Sequence, residues 1–202
     1  SPDQSKMIYV SYVKSDVKSP ADCYEDLGKA NAYTTDDLMY RHWDHTVMEI
    51  PHSFIADFSP KAEMSVTPEV SVDILEGEPA NYELPTEPFS GIEQLDWSPD
   101  GKFIAYSCRK VTGKRYAFST NTEIYIYNLE NGKSSLISNA GGYDTDPVWS
   151  PDGSRICWVS MERDGYEADK QRLMVAETDW SNLDENGCPK TYEPVDATAD
   201  FK

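Results

Sequence analysis

The sequence predicts an all-β chain, and a repeated turn, the strands around it and their spacing predict it. The pentapeptide Trp-Ser-Pro-Asp-Gly occurs at Trp97–Gly101 and again at Trp149–Gly153. Each copy stands between two apolar runs and has the chemistry of a tight turn. Proline presets φ, aspartate braces the turn with a short polar side chain, and glycine takes the left-handed conformation that closes it. A degraded copy opens the chain as Ser1-Pro2-Asp3-Gln4-Ser5-Lys6, reading as one residue longer and lacking the glycine. A motif at a fixed place in successive units marks a repeat architecture. Four short antiparallel strands per unit, with an aromatic beside the turn, is the pattern of a β-propeller blade. The expectation is a partial β-propeller of about three four-stranded antiparallel blades with long inter-strand loops. It forms one domain over 1–202, divided as 1–86, 87–140 and 141–202.

In chain order, Lys6–Val13 is apolar on both faces and suits a buried strand. Lys14–Asp37 is polar and reads as a long loop; Leu38–Trp43 and His52–Phe58 are strand-like again. Val66–Glu87 reads as an outer strand around Val70–Leu75 and a connector. Matching MIYVSYVK with FIAYSCRK, and HSFIADF with EIYIYNL, makes this first unit one long blade. In the second unit Ile92–Trp97 enters the turn, Phe103–Cys108 leaves it, and Arg109–Thr122 is a loop. Glu123–Leu129 alternates β-branched and aromatic residues, and Asn131-Gly132 is a hairpin signal returning through Ser134–Ser138. The third unit repeats the scheme with Asp146–Trp149, Arg155–Ser160, the loop Met161–Gln171, Arg172–Glu177 and an outer strand around Lys190–Val195. Trp97 and Trp149 are expected to pack between neighbouring blades. Ser98 and Ser150 stand 52 apart, Ser1 and Ser98 97 apart.

The 202 residues carry 18 Lys and Arg against 36 Asp and Glu, a formal charge of −18. Such a surface repels phosphate backbones and anionic lipid, which argues against nucleic acid and membrane partners. No apolar run approaches the roughly 18 residues that span a bilayer. The chain starts inside a repeat motif without a signal peptide, so its natural N-terminus is expected to lie upstream. Cys23, Cys108, Cys157 and Cys188 show no Cys-x-x-Cys spacing. They suit either buried small hydrophobes or pairs in an oxidising compartment.

The WSPDG turn, the apolar strand after it and the IYIYNLENG hairpin resemble the propeller repeats of two groups. One is the prolyl oligopeptidase family of serine peptidases; the other is the Tol-associated periplasmic propellers. Asp37–Asp44 (DLMYRHWD) and Met161–Lys170 (MERDGYEADK) resemble segments of the dipeptidyl-peptidase and acylaminoacyl-peptidase branch of the first. The resemblance implies a secreted or periplasmic exopeptidase in which a propeller stacks on an α/β-hydrolase domain. It also implies a peptide substrate and no cofactor. The Tol-type alternative is a propeller that binds other proteins.

The nucleophile of such a hydrolase sits in Gly-x-Ser-x-Gly. Gly132-Lys133-Ser134 is the one Gly-x-Ser, and Leu136 stands where the second glycine belongs. A phosphate loop is excluded too, because Tyr127 occupies the upstream glycine position. No catalytic triad can be assembled, so the chain reads as a piece of a larger protein whose hydrolase domain lies elsewhere.

His42, Asp44, His45 and His52 are zinc-type residues, but alternation puts His42 and Asp44 on one face and turns His45 away, nothing fixes their convergence, and no metal site is assigned. Asp144-Thr145-Asp146 lacks calcium-loop spacing and reads as turn chemistry before the next strand. The second connection of every unit is long, so the long loops are expected at one end of the propeller. On the resemblance, Glu162 or Glu167 is the candidate for a substrate ammonium group, with Arg163 orienting a carbonyl or carboxylate. The bland alternative is a solvated, salt-bridged loop. Open blade edges are expected to self-associate.

Overall fold

In a computed structural model of the chain, the described residues are 1–15, 17–36, 41–42, 44–61, 70–79, 81–87, 91–138 and 141–201, without the side chains of 41 and 42. Most of Leu38–Trp43 therefore lies outside them, as does most of the Asp37–Asp44 stretch. The chain is all-β. A first sheet contains β1 (Lys6–Lys14), β4 (Glu49–Asp57) and β5 (Val72–Asp73) in that order. A small hairpin of β2 (Arg41–His42) and β3 (His45–Thr46) stands apart from it. The second sheet is a meander of β6 (Leu95–Trp97), β7 (Phe103–Cys108), β8 (Glu123–Asn128) and β9 (Lys133–Leu136). The third has β10 (Tyr143–Trp149), β11 (Arg155–Met161) and β12 (Arg172–Leu183). Both β13 (Pro189–Thr191) and β14 (Val195–Asp196) pair with β12. Every pairing between these strands is antiparallel. Among the described residues the sheets do not close into a ring.

The second sheet is covered on both faces, which is why β7 reads FIAYSC with no polar side and is buried throughout. Its alternation distributes side chains to two seams. Ile104, Tyr106 and Cys108 join Ile55, Ile74, Leu75 and Leu84 from the first unit. Phe103 and Ala105 turn the other way and join Trp149, Ile156 and Trp158 from the third. Trp149 is buried in that second seam, whereas Trp97 is half-buried against the first. Burying one such large side chain contributes about 1.5–3 kcal/mol, so the two seams, not strand propensity, hold the stack.

The two full turns are built alike. Gly101 and Gly153 have φ of 71° and 69°. The hydroxyls of Ser98 and Ser150 donate to Asp100 and Asp152 and accept from the N–H of Phe103 and Arg155. The opening copy has the same bonds: Ser1 Oγ donates to Asp3 and accepts from Lys6 N–H. It is therefore the same length as the others, not one residue longer. Gln4 occupies the glycine position at φ 59°.

Asn131-Gly132 does close the hairpin of β8 and β9, in a connection longer than two residues. Asn128 pairs with Lys133, Gly132 N–H reaches Asn128 O at 2.9 Å, and of Asn131 and Gly132 only Gly132 has positive φ. Two further expectations are corrected. Asp144-Thr145-Asp146 lies inside β10, because Asp144 N–H is drawn onto Thr122 O at 3.1 Å; Asp146, at φ 54°, marks a bulge. Finally, β12 continues past Glu177 to Leu183, and the expected outer strand is split. β14 pairs with Met174 and Val175, while β13 pairs with the extension at Thr178 and Asp179.

That extension is a hairpin that leaves its own sheet and lies against the second. Asn186 Nδ2 donates to Ser134 O at 3.1 Å, and Asn128 Nδ2 to Gly187 O at 3.1 Å. Cys188 Sγ lies 3.3 Å from Ile126 O. All four cysteines are unpaired, with Cys108 and Cys188 buried, Cys157 half-buried and Cys23 exposed. Burial pushes the Cys108 thiol up to about 12 and that of Cys188 to about 11, which makes both poor nucleophiles.

Candidate functional site

The long connections meet at one end of the stack. The 15–48 connection sends Val47 into a small core with Val111 and Tyr116 of the 109–122 connection. The 109–122 connection in turn touches the 162–171 loop through Asp164. Its carboxylate accepts from Ser119 Oγ at 2.8 Å, Thr120 N–H at 2.8 Å and Asn121 N–H at 3.1 Å. Gly165 N–H adds a bond to Thr120 Oγ1 at 2.9 Å. Gly142 seals the base of this region: a Cβ there would fall 1.9 Å from Met161 O, so only glycine fits.

The three residues singled out by sequence fall on the 162–171 loop but do not converge. Glu162 is 73% exposed at its side chain and 3.9 Å from Arg172 Nη1. Glu167 is exposed. Arg163 is engaged already: Nε and Nη2 donate to Asp169 at 3.0 and 2.9 Å, and the guanidinium lies 4.1 Å from the Tyr166 ring centre. The bidentate pair commits two of the three guanidinium nitrogens and holds the Asp169 carboxyl at about 2. Tyr166 and Phe118 are exposed beside it.

Among the described residues the seam between the second and third sheets contains two buried carboxyls, and a third, Asp96, is half-buried and accepts from Trp149 N–H at 2.8 Å. Asp144 is fully buried, and neither of its oxygens has a well-formed hydrogen bond. Burial raises its pKa; Ser160, Ser138 and the Trp158 indole stand near enough to offset part of that rise. Glu123 is buried as well and accepts from Ser138 Oγ at 3.1 Å and Asn121 Nδ2 at 3.0 Å. Its pKa is raised by burial first and by the Asp144 charge last. In the other seam Glu83 is buried and accepts a very short hydrogen bond from Tyr116 OH, with Arg109 4.4 Å from the Tyr116 ring centre.

Sequence reasoning passed over Asp164 and Glu83, and weighed Asp144 only as turn chemistry or a calcium ligand, not as a buried carboxyl. The Asp164-Gly165 dipeptide inside the loop was the available signal for the first, since such a pair marks ordered turn chemistry. His45 and His52 do not gather, and the side chain of His42 lies outside the described residues. His45 is exposed beside Asp44 at 3.2 Å, while His52 is buried on β4 against Asp73 at 2.7 Å. Among the described residues no group of three His, Cys, Asp or Glu could hold a metal ion. Ser134 lies on β9, where its hydroxyl accepts from Tyr106 OH at 2.9 Å.

Against this geometry, the chain is 51% identical over 178 residues to dipeptidyl-peptidase 5 of Porphyromonas gingivalis, a match covering 88% of this chain. The chain is homologous to part of dipeptidyl-peptidase 5. The dipeptidyl-peptidase 5 of Porphyromonas endodontalis is 41% identical over 87% of this chain. The matches span 25% and 24% of the two relatives' own lengths, so the chain covers about a quarter of the length of the relatives it matches. No protein-family model matches. The solved TolB from Acinetobacter baumannii overlaps loosely, with a TM-score of 0.39 and 14% identity over 96% of this chain and 42% of that one.

Proposed function

We propose that the chain is the non-catalytic propeller part of a larger dipeptidyl-peptidase, screening substrates by size and helping to hold the peptide N-terminus. The observation that carries this reading is the 51% identity to dipeptidyl-peptidase 5 over 88% of the chain. In this reading an α/β-hydrolase domain of the parent protein sits over the long-loop end and supplies the nucleophile. Glu162 and Glu167 meet the substrate ammonium group, and Arg163 orients a carbonyl with the nitrogen its pair with Asp169 does not use. The exposure of both glutamates on a braced loop supports the assignment. A secreted or periplasmic location belongs to the same proposal.

The test has two arms. The 202-residue chain alone should not turn over dipeptidyl reporter substrates, and turnover blocked by a serine-directed inhibitor would overturn the non-catalytic reading. In the full-length protein, Glu162→Gln with Glu167→Gln should raise KM for free-N-terminus dipeptide substrates by about tenfold, the scale of one lost charge-assisted contact.

A further inference from the structure

We infer that Asp164 is the positioning residue of the proposed ammonium site, a role that rests on the reading above. The loop carrying Glu162 and Glu167 is bonded mostly within itself. Both glutamates are exposed, and the Arg163–Asp169 pair ties two points of the same loop to each other, not to the body. Asp164 is the anchor to a neighbouring sheet's connection. One carboxylate collects the Ser119 hydroxyl and two successive backbone N–H groups, Thr120 and Asn121.

Successive N–H groups converging on a single anion form a concave donor nest, and ionised acceptors make the stronger hydrogen bonds. The return bond from Gly165 N–H to Thr120 Oγ1 makes the clamp reciprocal. Ser119 Oγ also accepts from Asn121 N–H at 3.1 Å, so the receiving turn is ordered by the same atoms. The 109–122 connection is itself fixed to the core by buried Tyr116. A continuous path therefore runs from the inter-sheet core through Thr120 to Asp164, and from Asp164 across one residue to Glu162 and across Gly165 and Tyr166 to Glu167.

Asp164 does not touch substrate in this scheme. It removes the freedom of the residues that do, and loss of that order costs binding when the ligand must re-form it. The prediction differs from that for a glutamate ligand. Asp164→Ala should raise KM for free-N-terminus dipeptide substrates, whereas Asp164→Asn should recover most of the loss, because its Oδ1 still accepts both backbone N–H groups.

The experiment uses the full-length protein. Asp164→Ala is expected to raise KM about tenfold with kcat within about twofold, as for loss of uniform binding, and to speed amide exchange at Thr120 and Asn121. If exchange speeds but KM is unchanged, while the double glutamate variant raises KM, the ammonium site stands and Asp164 is scaffold only. An unchanged KM in the double glutamate variant sinks the site and the positioning role together. Should Asp164→Ala not fold, Thr120→Val removes the Gly165 bond alone and must shift KM in the same direction; an unchanged value overturns the inference.

Discussion

The indole N–H of Trp180 donates to the carbonyl of Gly153 at 2.6 Å, so a residue of the β12 extension closes the WSPDG turn of its own sheet. The same ring stands 5.5 Å from the rings of Trp149 and of Phe103, which belongs to the second sheet. Trp180→Ala should cost about 3 kcal/mol, the low end for aromatic truncation, because the ring is half-buried. Trp180→Phe keeps most of the packing and loses the bond, and should cost about 1 kcal/mol. Denaturant unfolding of both variants checks the order; equal losses would show that packing contributes little.

Gln4 holds a left-handed conformation at the place where two sister turns use glycine. Gln4→Gly should stabilise the chain by up to about 1 kcal/mol, the usual penalty for an L-residue in that region. A Gln4→Ala control keeps a Cβ and should give no gain in thermal midpoint.

The seam carboxyls set a pH dependence. Asp144 and Glu123 have pKa values raised by burial, so the folded state keeps their protons longer than the unfolded chain does. Their contribution is fully present below the unfolded value near pH 4 and is lost as pH rises through the raised folded values. Asp3, Asp152 and Asp169 are held at about 2 and act oppositely, losing their contribution as pH falls through that value. Asp144→Asn should therefore raise the thermal midpoint at pH 8 and flatten its decline between pH 5 and pH 8. A lower midpoint at pH 8 would mean that Asp144 is stabilised as an anion.

Val148, Cys157, Val175 and Val195 are register partners across β10, β11, β12 and β14. They form a row on the face opposite Trp149, Ile156 and Ala176, with Val148 and Val195 exposed. Sedimentation of the isolated chain should show concentration-dependent self-association. Val148→Lys with Val195→Lys should abolish it; a monomer at every concentration would count against the row as a sticky surface.

Legibility followed locality. The WSPDG turns were readable because proline, aspartate and glycine each demand one backbone geometry, and the seams were readable because β7 has no polar face. The length of the glycine-free turn at Ser1 is not legible, since nothing in Gln4 announces positive φ. The strand past Glu177 is illegible for another reason. Thr178–Leu183 is polar by its own sequence, and it is a strand because its hairpin meets Asn128 and Ser134 from another sheet. The candidate glutamates were found as residue types on a loop, but Asp164 matters through partners more than forty positions away.

Repeat stacks ordinarily unfold as weakly linked neighbours, each unit contributing its own stability and one interface. The 178–191 hairpin breaks that independence, because a segment encoded in the third sheet completes the outer edge of the second. The two sheets should then melt in a single cooperative transition, and cutting the chain after Glu177 should split it into two. During synthesis the second sheet would wait, its outer edge uncovered, until some fifty further residues had emerged.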